Sequence, residues 1–294
     1  MLKNLVLIIK ANQCFIRSNN EKNIEKNKAE LNQFFESISD LYIPLLNIFE
    51  RLTSQNINCK MGLVLPPVLC SMLDDKKNQD LYIDFLDKRI ELGKNELIRC
   101  KNKEKEIAII NKTIAENESL KKDFVEKYEC NIVKQFAEYQ KKGIVEILAT
   151  CATDIYLPHY ADLPEVISAQ IEIGLQAYKK SFGDVPEGFF LPDFGYFPGV
   201  EKIIRAYGYS YTILHGRSVL LSDTLPENGI FYPVRTNNSL VLFASDFKTQ
   251  SELFGEEGIV TSAFYRNENK GRLCRRNKAL RRQQRIFHGD IQLQ

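Results

Sequence analysis

Gly188-Phe-Phe-Leu-Pro-Asp-Phe-Gly-Tyr-Phe-Pro-Gly199 carries the decisive pattern of this chain. Residues 189–191 form a short apolar run of the kind that fills a buried strand. Pro192 ends it, because a proline has no N–H to give to a sheet ladder. Asp193 follows at once, and Pro198-Gly199-Val200-Glu201 opens a helical stretch that runs to Tyr207. A carboxylate at the C-terminal end of a buried strand, just ahead of a helix, stands where α/β barrels place catalytic groups. A helix-capping or turn aspartate has the same local signature, so spacing alone leaves both roles open.

Outward from this point, strands alternate with helices. Residues 2–11 predict a buried first strand through the run Leu5-Val-Leu-Ile-Ile9. Residues 29–54 are helical, with Leu31, Phe34, Phe35, Ile38, Leu41, Leu45, Ile48 and Leu52 at helical spacing and a break expected near Pro44. Residues 59–65 are a second strand, closed by Pro66-Pro67. The stretch 68–142 is helical and highly charged. Its apolar positions are too sparse over 101–122 for a coiled coil, which favours a solvated helical excursion. Gly143 ends it as a helix C′ residue. Further strands are expected at 145–149, 188–191, 209–214, 230–234 and 240–244, with a helix over 164–182 and a hairpin-like turn at Asn237-Asn238. This order argues for parallel βαβ units, closed into a barrel or wound as an open sheet.

The 294 residues are 44% hydrophobic and 27% charged, the composition of a soluble globular protein large enough for one barrel-sized core. Seven cysteines are dispersed, none as Cys-x-x-Cys, and the three histidines are scattered, so no metal site is expected. The apolar run at 5–9 is too short for a signal peptide core or a membrane span. These features fit reduced thiols in the cytoplasm. Charge is uneven. Residues 266–294 hold nine Lys or Arg against Glu268 and Asp290, a net +7, which leaves the rest of the chain at −5 out of an overall +2. The body is mildly acidic, and only the tail carries a nucleic-acid signal.

The 188–199 segment resembles the nucleophile motif of glycoside hydrolase family 57, especially its branch of 1,4-α-glucan branching enzymes. There the pattern is Trp-Leu-Pro-Glu-Cys-x-Tyr-x-Pro-Gly. Leu191-Pro192, Tyr196 and Pro198-Gly199 match it, with Phe190 at the Trp position and Asp193 at the Glu position. Tyr42-Ile43-Pro44-Leu45-Leu46 resembles the family's first long helix. Cys151-Ala152-Thr153 with Tyr156-Leu157-Pro158 resembles its Ala-Thr-His-Gly-Tyr-Leu-Pro turn. Pro164-Glu165, Ala169-Gln170-Ile171 and the run from Phe243 to Asp246 follow in order. The resemblance implies an α/β fold, an incomplete or distorted (β/α)7 barrel with a helical excursion between the second and third strands. It implies one domain over 1–265, the helical insertion at about 68–142, and a basic, disordered tail over 266–294. It also exposes departures. The family's first strand ends in a His-x-His pair where this chain has Lys10-Ala11-Asn12, its third-strand histidine is replaced by Asp154, and its general-acid Asp has no counterpart.

Retaining glycosidases use two carboxylates about 5–5.5 Å apart. The resemblance gives Asp193 the nucleophile position, with a side chain shorter than Glu by one C–C bond, about 1.5 Å. Asp154 and Asp246, both counted as substrate-binding residues, are also the acid/base candidates at strand ends; the resemblance implies a pocket-wall place for Asp246, and capping or solvated roles compete for both. Sugar rings stack on aromatic faces, and with no Trp in the chain Tyr156, Phe194, Tyr196 and Phe254 are the candidate platform. His159 and His215 are expected to be structural. No cofactor is expected.

Three functions follow. The first is a carbohydrate-active domain acting on α-1,4-glucan by retaining transfer or hydrolysis, weakened or silenced by Asp193 and the missing acid. The second is a non-catalytic relative, a pseudoenzyme that binds glucan or a partner protein covering the open barrel. The third is a nucleic-acid binder acting through the tail. The tail's abrupt change of composition also fits a shifted reading frame. No membrane association is expected.

Overall fold

A computed structural model describes residues 5–16, 24–100, 104–255 and 258–259. The basic segment 266–294, the expected domain end at 260–265 and the start of the first expected strand lie outside these residues.

Three short apolar runs make the first part of the sheet: β1 (Ile8–Lys10), β2 (Met61–Val64) and β3 (Val145–Leu148), parallel and in that order. The second part is β4 (Gly188–Phe189), β5 (Tyr211–His215), β6 (Val234–Arg235) and β7 (Val241–Ser245), in the order β4-β5-β7-β6. β4, β5 and β7 are parallel, and β6 returns antiparallel to β7 through the turn at Asn237-Asn238. A parallel bridge between Ala149 and Phe189 joins the two parts. Six parallel strands thus form most of a barrel wall, and their C-terminal ends share one rim.

The first expected strand is shorter than its hydrophobicity suggests. Leu5 is 85% exposed and the strand proper begins at Ile8. Among the described residues β1 pairs with β2 alone, so the chain leading into it runs along an open edge. The strand expected at 230–234 is also trimmed. Residues 230–232 are turn and bend, Phe231 is 80% exposed, and pairing starts only after Pro233, which has no N–H to donate.

Helices α1 (Ile24–Ser37) and α2 (Ile43–Ser54) are joined by a π-helical turn, Ile38–Tyr42. Pro44 sits in the first turn of α2, where its missing N–H leaves no hydrogen bond unmade. The wider winding of the π turn shifts the apolar phase. Ile43, Leu46 and Phe49 are fully buried, whereas the expected Leu41 and Ile48 face outward. The excursion between β2 and β3 comprises α3 (Pro67–Asp74), α4 (Lys76–Arg99), α5 (Glu104–Lys122) and α6 (Ile132–Lys141). α4 and α5 pair through Gly93 against Ile114 and through Lys121–Asp87, while α5 buries only Ile114 and Asn117, as a solvated excursion should.

Helix α7 (Pro164–Phe182) fixes the loop after β3. Gly174 packs so closely on that loop that a Cβ would fall on the Thr150 carbonyl oxygen. Gln170 completes the contact. Its backbone carbonyl accepts from Ala152 N–H at 2.9 Å, and its side-chain oxygen accepts from Thr153 N–H at 3.0 Å. Replacing Gly174 by Ala should therefore destabilise the fold by about 1–3 kcal/mol through overpacking against backbone, read as a lower urea midpoint with an unchanged slope.

Burial also sets the alkaline limit. The Cys70 and Cys151 thiols are pushed up from 9.0 to about 12, chiefly by desolvation, with Asp74 and Asp154 adding to it. Above pH 9 the unfolded chain loses these protons while the native chain keeps them, so stability falls as pH rises toward 12. The urea midpoint should drop from about pH 9 upward. In Cys70→Ala/Cys151→Ala the loss between about pH 9 and 10 should shrink to the contribution of Cys130, whose thiol is also raised by burial, before exposed tyrosines of the unfolded chain take over near pH 10.

Candidate active site

The rim gathers residues from the ends of five strands. Lys10 is the last residue of β1, Asp154 follows β3, Asp193 follows β4, His215 ends β5 and Asp246 follows β7. Three of these meet. The Lys10 ammonium donates to both carboxylate oxygens of Asp154, at 2.8 and 3.0 Å, and lies 4.0 Å from Asp193 Oδ1. The facing oxygens of Asp154 and Asp193 can be no further apart than those two contacts, 2.8 Å and 4.0 Å, laid end to end. That limit admits the roughly 5–5.5 Å spacing of retaining carboxylate pairs. The Lys10 side chain is only 19% exposed and its ammonium is 6.0 Å from the Phe190 ring centroid. Asp193, by contrast, is 70% exposed.

Asp193 owes that exposure to a strained turn. Pro192–Phe194 is a single 3₁₀ turn, and both Asp193 (φ 49°) and Phe194 (φ 54°) are left-handed. Side chains with a Cβ adopt this region at a cost of roughly 1–3 kcal/mol each. Phe194 offsets part of it by packing: its ring lies 5.4 Å from Phe190 and 6.0 Å from His215. Gly195 follows, flush against Pro158 and Tyr156 at 2.8 and 3.0 Å from where a Cβ would stand, so the third- and fourth-strand loops touch here. Tyr156 is half-exposed beside this contact and meets His159 edge-on at 5.0 Å. The Tyr196 hydroxyl donates to Glu201 Oε2 at 3.2 Å, and the same oxygen accepts from Gly199 N–H at 2.7 Å. Burial, with Glu201 adding, pushes the Tyr196 hydroxyl up to about 12. Tyr196 therefore ties the turn to α8 (Val200–Ala206), and its hydroxyl is committed to that contact.

Two expected site residues stand apart. Asp246 is the N-cap of α9 (Phe247–Phe254): Oδ1 accepts from Lys248 N–H and Oδ2 from the Thr249 hydroxyl. The Thr249 hydrogen bond, with the backbone donors, holds its carboxyl below the usual range. Phe254 lies at the far end of the same eight-residue helix, about 12 Å along its axis from Asp246, and is 65% exposed. His215 is held by Arg217 N–H donating to Nδ1 and stacks on Phe247, which also carries the Arg217 guanidinium. Among the described residues no three His, Cys, Asp or Glu side chains gather as a metal site would require.

Sequence reasoning noted Lys10 only as the replacement of a histidine pair. Its ion pair with Asp154 spans 144 residues and has no local signature. The available signal was a basic residue ending one strand and an extra acidic residue after another, two strands away. Chemically, the rim offers a carboxylate open to solvent and a second carboxylate whose oxygens both accept from an ammonium. Asp154 is thus held as the ion-pair partner of Lys10.

Residues 6–255 match the sequence profile of Glycosyl hydrolase family 57. A 1,4-alpha-glucan branching enzyme of Thermococcus kodakarensis is 27% identical over 252 residues, covering 81% of this chain and 35% of that protein. Among solved structures, the alpha-amylase AmyC from Thermotoga maritima superposes with a TM-score of 0.78 at 26% identity, over 86% of this chain and 47% of that one. The GH57-type branching enzyme from Pyrococcus horikoshii does so with a TM-score of 0.74 at 23% identity, over 86% and 48%. This chain thus spans between about a third and a half of the length of these relatives. By the extent of that match and the incomplete α/β barrel it builds, the chain belongs to glycosyl hydrolase family 57.

Proposed function

We propose that the rim binds α-1,4-glucan and that its chemistry on the sugar is slow or silent. The observation that carries this reading is the pairing at the rim: Asp193 projects into solvent on the turn that bears Phe194 and whose Gly195 abuts the half-exposed Tyr156, while Asp154 is engaged by Lys10. Aromatic faces next to an open carboxylate suit a sugar ring and its hydroxyls. Retaining attack also needs a donor for the leaving oxygen, and both oxygens of Asp154 are taken up by the Lys10 ammonium. The attacking group is about 1.5 Å shorter than a glutamate, and a misplacement near 1 Å costs about 10²-fold in rate. Binding and slow turnover are therefore compatible in one site.

Native gels cast with and without amylose test the binding half. The protein should be retarded by amylose, and Tyr156→Ala should lose most of that retardation while its thermal melt stays close to wild type. Migration unaffected by amylose would end the reading. The catalytic half is read from iodine colour and reducing ends on amylose. Both should change slowly or not at all in the wild type, and Asp193→Glu should raise turnover by up to about 10²-fold. A fall in iodine colour without new reducing ends marks transfer, and new reducing ends mark hydrolysis.

A further inference from the structure

The distance from Lys10 to Asp193 supports a second conclusion, one that rests on the glucan-binding reading above. We propose that Lys10 restrains Asp193, so that the identity of residue 10 decides whether this rim attacks a bound sugar or only holds it. The ammonium lies 4.0 Å from Asp193 Oδ1 and is fixed there, because Asp154 accepts from it on both oxygens and little of the side chain is exposed. It is a stationary positive charge beside the attacking group.

Such a charge acts against the reaction twice. The free carboxylate is attracted to it, and that attraction fades as the carboxylate turns into a neutral ester. An interaction stronger in the ground state than in the transition state slows the step. The sugar, meanwhile, gains positive character at its C1–O5 unit as the leaving group departs, and a fixed ammonium within a few ångströms opposes that development. Asp193 is largely exposed, so solvent screens both effects, and a rate change of tens rather than thousands of fold is expected. No contact between Lys10 and the sugar is required. Lys10 acts through Asp193.

The test separates this restraint from the missing proton donor by using a substrate whose leaving group needs no proton. With α-maltosyl fluoride, an Asp193 oxygen bonds to C1 while the C1–F bond breaks and fluoride departs with the bonding pair. Water then attacks C1 of the glycosyl ester, the C1–O bond to Asp193 breaks, the carboxylate is regained and the proton passes to solvent. Fluoride release follows the reaction. Lys10→Met keeps the length and the apolar stem without the charge, and should raise kcat at least ~10-fold with KM changed less than about threefold. Lys10→Arg keeps a cation and should stay near wild type. The gain should vanish in Lys10→Met/Asp193→Asn. Because Lys10→Met leaves the Asp154 carboxylate unpaired, Lys10→Met/Asp154→Asn is measured beside it and should show the same gain in a neutral setting. If the folded Met variants release fluoride no faster than wild type, or if their gain survives loss of Asp193, the restraint is overturned while glucan binding stands. If amylose does not retard the wild type, the binding reading falls and the restraint falls with it.

Discussion

Two backbone hydrogen bonds hold this molecule's sheet together across its middle. Ala149 N–H donates to the Gly188 carbonyl at 3.0 Å, and Phe190 N–H donates to the Ala149 carbonyl at 2.7 Å. Thr150 reinforces them with its hydroxyl, which donates to the Phe190 carbonyl at 2.9 Å. These bonds set the register between β3 and β4, and so decide that the loop after one and the turn after the other leave the sheet side by side. A shift by one residue would turn each side chain of the short fourth strand to the opposite face. The meeting of Gly195 with Tyr156 and Pro158 depends on this register, as does the nearness of Asp154 to Asp193.

The support behind that junction comes from α7. Its Pro164 start and Gly183 end are local features, but its function here is tertiary. Gly174 lets the helix lie on the backbone of the Thr150 loop, and Gln170 satisfies two N–H groups that the loop would otherwise leave unpaired. The helix therefore fixes where Asp154 emerges, although it contributes no side chain to the rim. The ion pair with Lys10 then draws the end of β1 into the same constellation.

Most of the fold was legible because its strands are short, apolar and bounded by Pro or Gly. The 164–182 helix is found where apolar spacing and terminal signals placed it. The errors fall where hydrophobicity and partner diverge. Leu5 and Phe231 are apolar but lie on open edges, which composition cannot reveal. The shifted face of α2 comes from five residues of wider winding that no periodicity rule anticipates. At the rim, the capping role of Asp246 could be read locally from the residues that follow it. The partner of Asp154 could not, since it arrives from the far end of the sheet. Tyr196 fits the family motif, yet the structure commits its hydroxyl to Glu201.

The turn that carries Asp193 and Phe194 bears on how this chain could change over time. Two successive side chains sit in a region where glycine or asparagine would rest more easily. Substitution toward either relaxes the backbone and removes the carboxylate or the aromatic wedge in the same step. Stability and the equipment of the rim therefore pull in opposite directions at these two positions. A lineage with no further use for the rim would relax here first, long before its core residues shifted.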